Sequence, residues 1–218
     1  MRQLTKLDRV VPGLHATSPQ PLPFAPSLHV RAFVLERSQG NILIYSTTEL
    51  ERDVPAIDDL GGVSRRYLNH WHEAMFATGL DAPLFVHERE QPAVEERMHV
   101  RGTFSRRHLL DDDFEVIPTP GHTGGATAFL WDTGDHRALF TGDSIYLDRG
   151  DWVAAVLEGS SDRDAYLESL ELIRGLDFDV LVPWAASAGE PYHAVTSRAE
   201  ALRRIDAIVE RLRRGEDR

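Results

Sequence analysis

Residues 114–146 read FEVIPTPGHTGGATAFLWDTGDHRALFTGDSIY, a run in which strand-like segments alternate with Gly- and Pro-containing loops. Val116 and Ile117 are β-branched and lead into Pro118-Thr119-Pro120-Gly121. Neither proline has an N–H for a sheet ladder, so a strand is expected to end there. Gly121, Gly124 and Gly125 let the backbone pass close to a neighbour around His122. Residues 126–131 are apolar enough for a buried strand, residues 133–136 form a turn, and residues 137–141 are the partner strand. Gly142-Asp143 opens the next loop. His122 and Asp143, 21 positions apart, thus each stand on a loop beyond a strand.

Upstream lies Asn69-His70-Trp71-His72-Glu73, preceded by the strand-like Arg66-Tyr67-Leu68. If the segment stays extended, residues i and i+2 share a face, and His70 and His72 aim both imidazoles at one point. A lone histidine is more often surface or core than ligand. The order H-x-H, then P-G-H-T-x-G, then T-G-D is far more specific than any of the three alone.

In that order the chain resembles the metallo-β-lactamase superfamily of metal-dependent hydrolases over roughly residues 10–212. The resemblance implies an α/β (α+β) fold, a four-layer αβ/βα sandwich with the metal site built from loops at one edge. It implies a single domain over 1–218. The family's first motif is H-x-H-x-D-H, and here it reads His70-Trp71-His72-Glu73-Ala74-Met75. Its late histidine follows a strand corresponding to residues 179–183, where this chain continues Trp184-Ala185-Ala186. In two-metal members, one metal is held by the histidines of H-x-H and of P-G-H-T. The other is held by the D-H pair and the late histidine, with the Asp of T-G-D bridging. By that pattern the ligands of the first metal, His70, His72, His122 and Asp143, are all present. Those private to the second are replaced by Ala74, Met75 and a residue near Ala185; His193, a few positions on, is the substitute weighed for the last. The losses sort by metal, which implies a site trimmed to one ion per chain.

Three imidazoles and one open position match a catalytic zinc, which lowers the pKa of its bound water to about 7. Asp143 is either a fourth ligand or the general base. Zn(II) suits this N/O donor set best, with Fe(II), Mn(II) and Ni(II) also compatible. Trp71, Met75, Phe76, Trp152 and Trp184 flank ligand positions or their equivalents. They read equally as an apolar rim for an ester, lactone or thioester and as tryptophans that finish the core. The two functional readings are a single-metal hydrolase of a small substrate and a non-catalytic member of the fold with a structural or vestigial metal site.

The 218 residues carry a net charge of −11, 42% hydrophobic and 27% charged residues and no cysteine, which excludes disulfides and thiolate ligands. So acidic a chain disfavours a nucleic-acid partner. The first 25 residues lack an apolar signal core and no run is long enough to span a bilayer, so a cytoplasmic location with no membrane partner is expected. A homodimer is allowed.

Along the chain, residues 10–15 read as a first strand. Residues 18–27, SPQPLPFAPS, lack either periodicity and read as a rigid surface loop or a flap. Residues 29–35 and 41–45 read as a hairpin about Ser38-Gln39-Gly40-Asn41. The second of these ends at Tyr45, where the family commonly has an Asp behind the ligands. A short helix is expected over 54–60, with Pro55 in its first turn and Gly61-Gly62 as its stop. Residues 73–77 favour helix, 84–86 a strand, 88–98 a solvated helix and 100–110 an irregular strand or hairpin. His87 reads as structural, and residues 148–158 as loop. A helix capped by Ser160-Ser161-Asp162 runs to about Arg174. The last helix carries Leu202, Ile205, Ile208, Val209 and Leu212 at helical spacing.

Overall fold

The computed structural model describes residues 6–216. Residues 1–5 and 217–218, included in the single-domain reading and in part in the reading of the N-terminus, lie outside the described residues. The chain is mixed α/β, with several sheets and few helices, and divides into two compact units, residues 1–104 and 105–218.

The first unit is organised on a seven-stranded sheet. Its spatial order is Asp8–Val11, Leu14–Ala16, Phe33–Leu35, Ile42–Ile44, Arg65–Tyr67, Leu84–His87 and Gly102–Phe104. The early strands pair antiparallel, and from Ile42–Ile44 onward the pairings are parallel. The change follows the connections. Short links such as residues 36–41 can close only a hairpin, whereas Ile44 to Arg65 is long enough to carry the helix Leu50–Asp59. All six side chains of Phe33–Leu35 and Ile42–Ile44 are buried, as their continuous apolar sequence requires.

Several expectations need correction. Residues 10–15 are not one strand: the chain turns at Gly13, φ +78°, between two paired strands. The apolar run 29–35 is split. Residues up to Val30 belong to Ala25–Val30, and Phe33–Leu35 is a separate strand. The Pro-rich segment is no irregular loop, since Gln20–Leu22 pairs with Ala25–Val30, with Phe24 71% exposed at the turn. The first helix begins a turn early, which puts Pro55 inside it. An interior proline costs about 3 kcal/mol. Burying Leu50 and Ile57 from the same helix returns roughly 1.5–3 kcal/mol each, so packing wins over propensity. Residues 100–110 are no hairpin: Gly102–Phe104 and His108–Leu110 belong to different sheets.

The second unit carries a six-stranded sheet in the order His108–Leu110, Phe114–Pro118, Thr127–Asp132, Arg137–Gly142, Val180–Pro183 and Ala194–Val195. It is antiparallel except where Arg137–Gly142 runs parallel to Val180–Pro183. That crossover contains the helix Arg163–Gly175, capped by Asp162 Oδ1 accepting from the Ala165 N–H at 3.0 Å. The last helix, Arg198–Arg213, is capped by Ser197. Both helices present Leu170, Ile173, Ala201, Ile205, Ile208, Val209 and Leu212 to one apolar cluster with Ile117, Leu139 and Leu181. Residues 148–158 are not all loop: Tyr146–Asp148 and Asp151–Val153 form a hairpin, and Ala185–Ser187 runs parallel to its first strand. Among the described residues, no helix is long and apolar enough to cross a membrane.

Candidate functional site

In the first unit, strand Arg65–Tyr67 ends two residues before Asn69-His70, and residues Trp71–Phe76 form a short 3₁₀ helix. The H-x-H pair is therefore not an extended segment, and period-two alternation does not place it. His70 is the extended residue in front of the helix, φ −155°, and His72 lies in its first turn. Their rings still meet edge to face, centroids 4.9 Å apart. The helix packs through Ala74 in an apolar cluster with Leu68, Leu84, Val86, Val94, Met98 and Val100.

Glu73 holds this turn, a role that its reading as a mere helix former missed. Its Oε1 accepts from the Asn69 N–H at 2.8 Å and the His70 N–H at 3.2 Å. Burial pushes its carboxyl up from the usual range, against the opposing pull of His70 and the two N–H groups. The residue three positions before Glu73 is His70, not the Ser, Thr, Asp or Asn of a capping-box signal, so the sequence did not mark this cap. Glu90 Oε2 accepts from the Trp71 N–H at 2.7 Å and fixes the next residue. His70 Nδ1 faces two acceptors, Asn69 Oδ1 at 2.9 Å and Glu73 Oε1 at 3.3 Å. With Nδ1 as the donor to these acceptors, Nε2 carries the lone pair that a metal needs.

In the second unit, Phe114–Pro118 ends where its prolines require, and the next strand begins at Thr127. The loop between them is closed by the Thr119 N–H to Ala126 O at 2.7 Å and rests on helix Arg163–Gly175. Ser169 Oγ donates to Pro120 O at 2.6 Å, and Ser161 Oγ to His122 O at 3.0 Å. Gly121 has φ +144°, and a Cβ there would lie 2.4 Å from Tyr166 Cα, so only glycine fits. His122 is buried; its Nδ1 donates to Ala155 O at 2.7 Å, which leaves Nε2 as the coordinating nitrogen. Asp143 follows Arg137–Gly142, and its Oδ2 lies 3.5 Å from His122 Nε2.

Tyr166 joins these parts. Its hydroxyl accepts from the Ala155 N–H at 3.1 Å and faces Asp143 O at 2.8 Å and Ser144 O at 3.0 Å. Burial, and then the nearby Asp143 carboxylate, push its phenol well above the ordinary value, so it stays a neutral donor.

Among the described residues, the candidate metal-holding side chains are His70 and His72 on the first unit's turn and His122 and Asp143 on the second unit's loops. The protonation pattern of His70 and His122 fits that role. His193 is not in this group; burial lowers its pKa. Trp152 is no rim residue: it is 3% exposed within the second unit's core and stacks on Phe178 at 6.3 Å. Trp184 and Phe76 are also buried, whereas Trp71 and Met75 are more than a third exposed.

Comparison with known proteins agrees with this picture. A model of the metallo-beta-lactamase superfamily matches residues 52–185, more than half of the chain. No curated protein matches the sequence. Among solved structures, a metallo-β-lactamase from Hirschia baltica matches with a TM-score of 0.70 at 15% identity, covering 94% of this chain and 97% of that one. One from Pontibacter korlensis matches with a TM-score of 0.68 at 16% identity, covering 92% and 98%. A class B3 di-zinc metallo-β-lactamase from an Alaskan soil metagenome matches with a TM-score of 0.65 at 15% identity, covering 96% and 94%. At such identities the likeness shows the fold alone. With the superfamily's motifs standing on the loops described and its model spanning most of both motif regions, the chain belongs to the metallo-β-lactamase superfamily.

Proposed function

We propose that this protein is a hydrolase that uses a single metal ion, held by His70, His72, His122 and Asp143, against a small ester-, lactone- or thioester-like substrate. The observation that carries the reading is the donor set: three imidazoles and one carboxylate, with Ala74 and Met75 where the superfamily places private ligands of a second metal. Zn(II) is the ion that best suits such donors. When bound, it would supply Lewis acidity and an acidified water.

The chain's own residues supply the rest. Asn69 and Ala155 O fix the ring orientation of His70 and His122 by accepting from Nδ1. The Asp143 carboxylate, 3.5 Å from His122 Nε2, is placed to ligate or to take a proton from the attacking water. Trp71 and Met75 offer exposed apolar surface beside His70 and His72 for the non-reacting part of a substrate.

Elemental mass spectrometry after zinc reconstitution and desalting tests the reading, followed by a panel of ester, lactone and thioester substrates. About one metal per chain with metal-dependent turnover is expected. Metal bound without turnover of any substrate favours the non-catalytic reading, and essentially no metal rejects the site.

A further inference from the structure

Within the first unit, a cavity of about 530 Å³ opens at the ends where the chain enters strands Leu84–His87 and Gly102–Phe104. His70 follows the opposite, C-terminal end of the parallel neighbour Arg65–Tyr67, so the cavity is separate from the histidine turn. The Arg66 N–H donates to Pro83 O and the Arg101 N–H to Leu84 O, each at 2.8 Å, which fixes the two arginines on the cavity wall.

We propose that this cavity binds a phosphate group, as inorganic phosphate or as the phosphoryl end of a small monoester, through Arg66, Arg97 and Arg101. Arg66 is the anchor. It is 3% exposed, yet among the described residues its guanidinium makes only two hydrogen bonds, to Leu80 O at 3.2 Å and Thr78 Oγ1 at 3.5 Å. A guanidinium has five N–H donors, and Arg66 Nε has no partner among the described residues. Glu73, the negative charge Arg66 feels most, is committed to the Asn69 and His70 N–H groups and makes no bond to it. Desolvation pushes Arg66 down to about 10, so it remains charged at neutral pH with an under-compensated cost of burial.

Charge selects the ligand. Three guanidiniums on the wall face one carboxylate, Asp81, a surplus of two positive charges in a chain whose net charge is −11. A dianion balances that surplus, whereas a single carboxylate does not. Arginine forks match phosphate oxygens bidentately, and Thr78 and His99 add polar groups on the same wall. The volume suits a small molecule rather than a polymer.

The test is calorimetric titration of the full chain with inorganic phosphate at low ionic strength, with acetate and sulfate in parallel. Arg66→Met endangers folding, so the decisive variant is the exposed pair Arg97→Gln/Arg101→Gln. His122→Ala is the control that removes one of the proposed metal residues. Saturable phosphate binding, tighter than acetate, unchanged in His122→Ala and at least about tenfold weaker in the arginine pair, is expected. Added salt should weaken it further. The proposal is overturned by no saturable binding, by binding that survives the arginine pair, or by acetate binding as well as phosphate. Binding lost only in His122→Ala would place the anion at the metal residues, and would reject the cavity while leaving the metal reading intact.

Discussion

At the scale of single residues, the site depends on which nitrogen each imidazole presents. His122 gives Nδ1 to Ala155 O and keeps Nε2 for coordination. His122→Ala is expected to reduce bound metal from about one per chain to near zero while the fold persists, as read by elemental analysis and circular dichroism. Retention of the metal would show that His122 is not a ligand. Glu73 makes the second residue-scale prediction. Removing its oxygens orphans two buried N–H groups at about 1–3 kcal/mol each. Glu73→Ala is therefore expected to lower the melting temperature and weaken metal binding by roughly 10–100-fold, since His70 loses its support. Glu73→Gln retains an acceptor oxygen and should recover most of both. Equal losses in the two variants would mean that Glu73 acts by charge, not by capping. Of these features, His70, His72, His122 and Asp143 were legible in the sequence because their types and order are distinctive. Glu73 was not, because a glutamate in a helix-favouring run looks ordinary until its burial is seen.

At the scale of elements, the strand–loop–strand about His122 was legible because its stops are chemical: prolines that cannot donate, and a glycine whose Cβ would strike Tyr166. The segments misread were those where chemistry leaves the choice open. Residues 29–35 are uniformly strand-like, and the change of strand is made by Thr17 and Ala32. The Thr17 N–H donates to Ala32 O and the Ala32 N–H to Thr17 Oγ1, both at 3.0 Å. Nothing local marks such a long-range exchange. The helix Arg163–Gly175 matters to the site through Tyr166. Tyr166→Phe removes the bridge from Ala155 to Asp143 and Ser144, and should lower the melting temperature and weaken metal binding by about tenfold. A fall in stability with unchanged metal affinity would make Tyr166 a core residue only. The last helix carries a pH-dependent cluster of three charged side chains. Bonds from Arg203 and Arg204 pull Glu200 down to about 2, from an ordinary 4.5. A depressed carboxylate contributes stability above its unfolded value and loses it as pH falls toward the folded one. Wild type should thus melt slightly above Glu200→Gln at pH 7, with the difference closing between pH 4.5 and about 2 and shrinking in salt. A difference that persists at pH 2 would contradict the assignment.

At the scale of the whole molecule, each compact unit has its own sheet and apolar cluster, and each carries two of the four proposed ligands. The question at this scale is whether the protein is a two-metal enzyme that lacks only side chains, or one whose packing is committed to a single ion. Ala74 answers for the first unit. It is 1% exposed among Leu68, Leu84, Val86 and Val94, in the helix that seats His72. An aspartate there would have to lose its hydration among aliphatic side chains, at a cost of several kcal/mol unless a metal or donor met it. The superfamily pattern asks for two further ligands, at Met75 and near Ala185, before such a metal could be held. Restoring only the first motif, Ala74→Asp with Met75→His, should therefore leave the metal content at about one per chain and lower the melting temperature by several degrees or more. Two metals per chain in that variant, without loss of stability, would show that the second site persists and that its vacancy in the sequence reflects side chains alone. One metal with reduced stability would show that the first unit's core has been rebuilt around the loss.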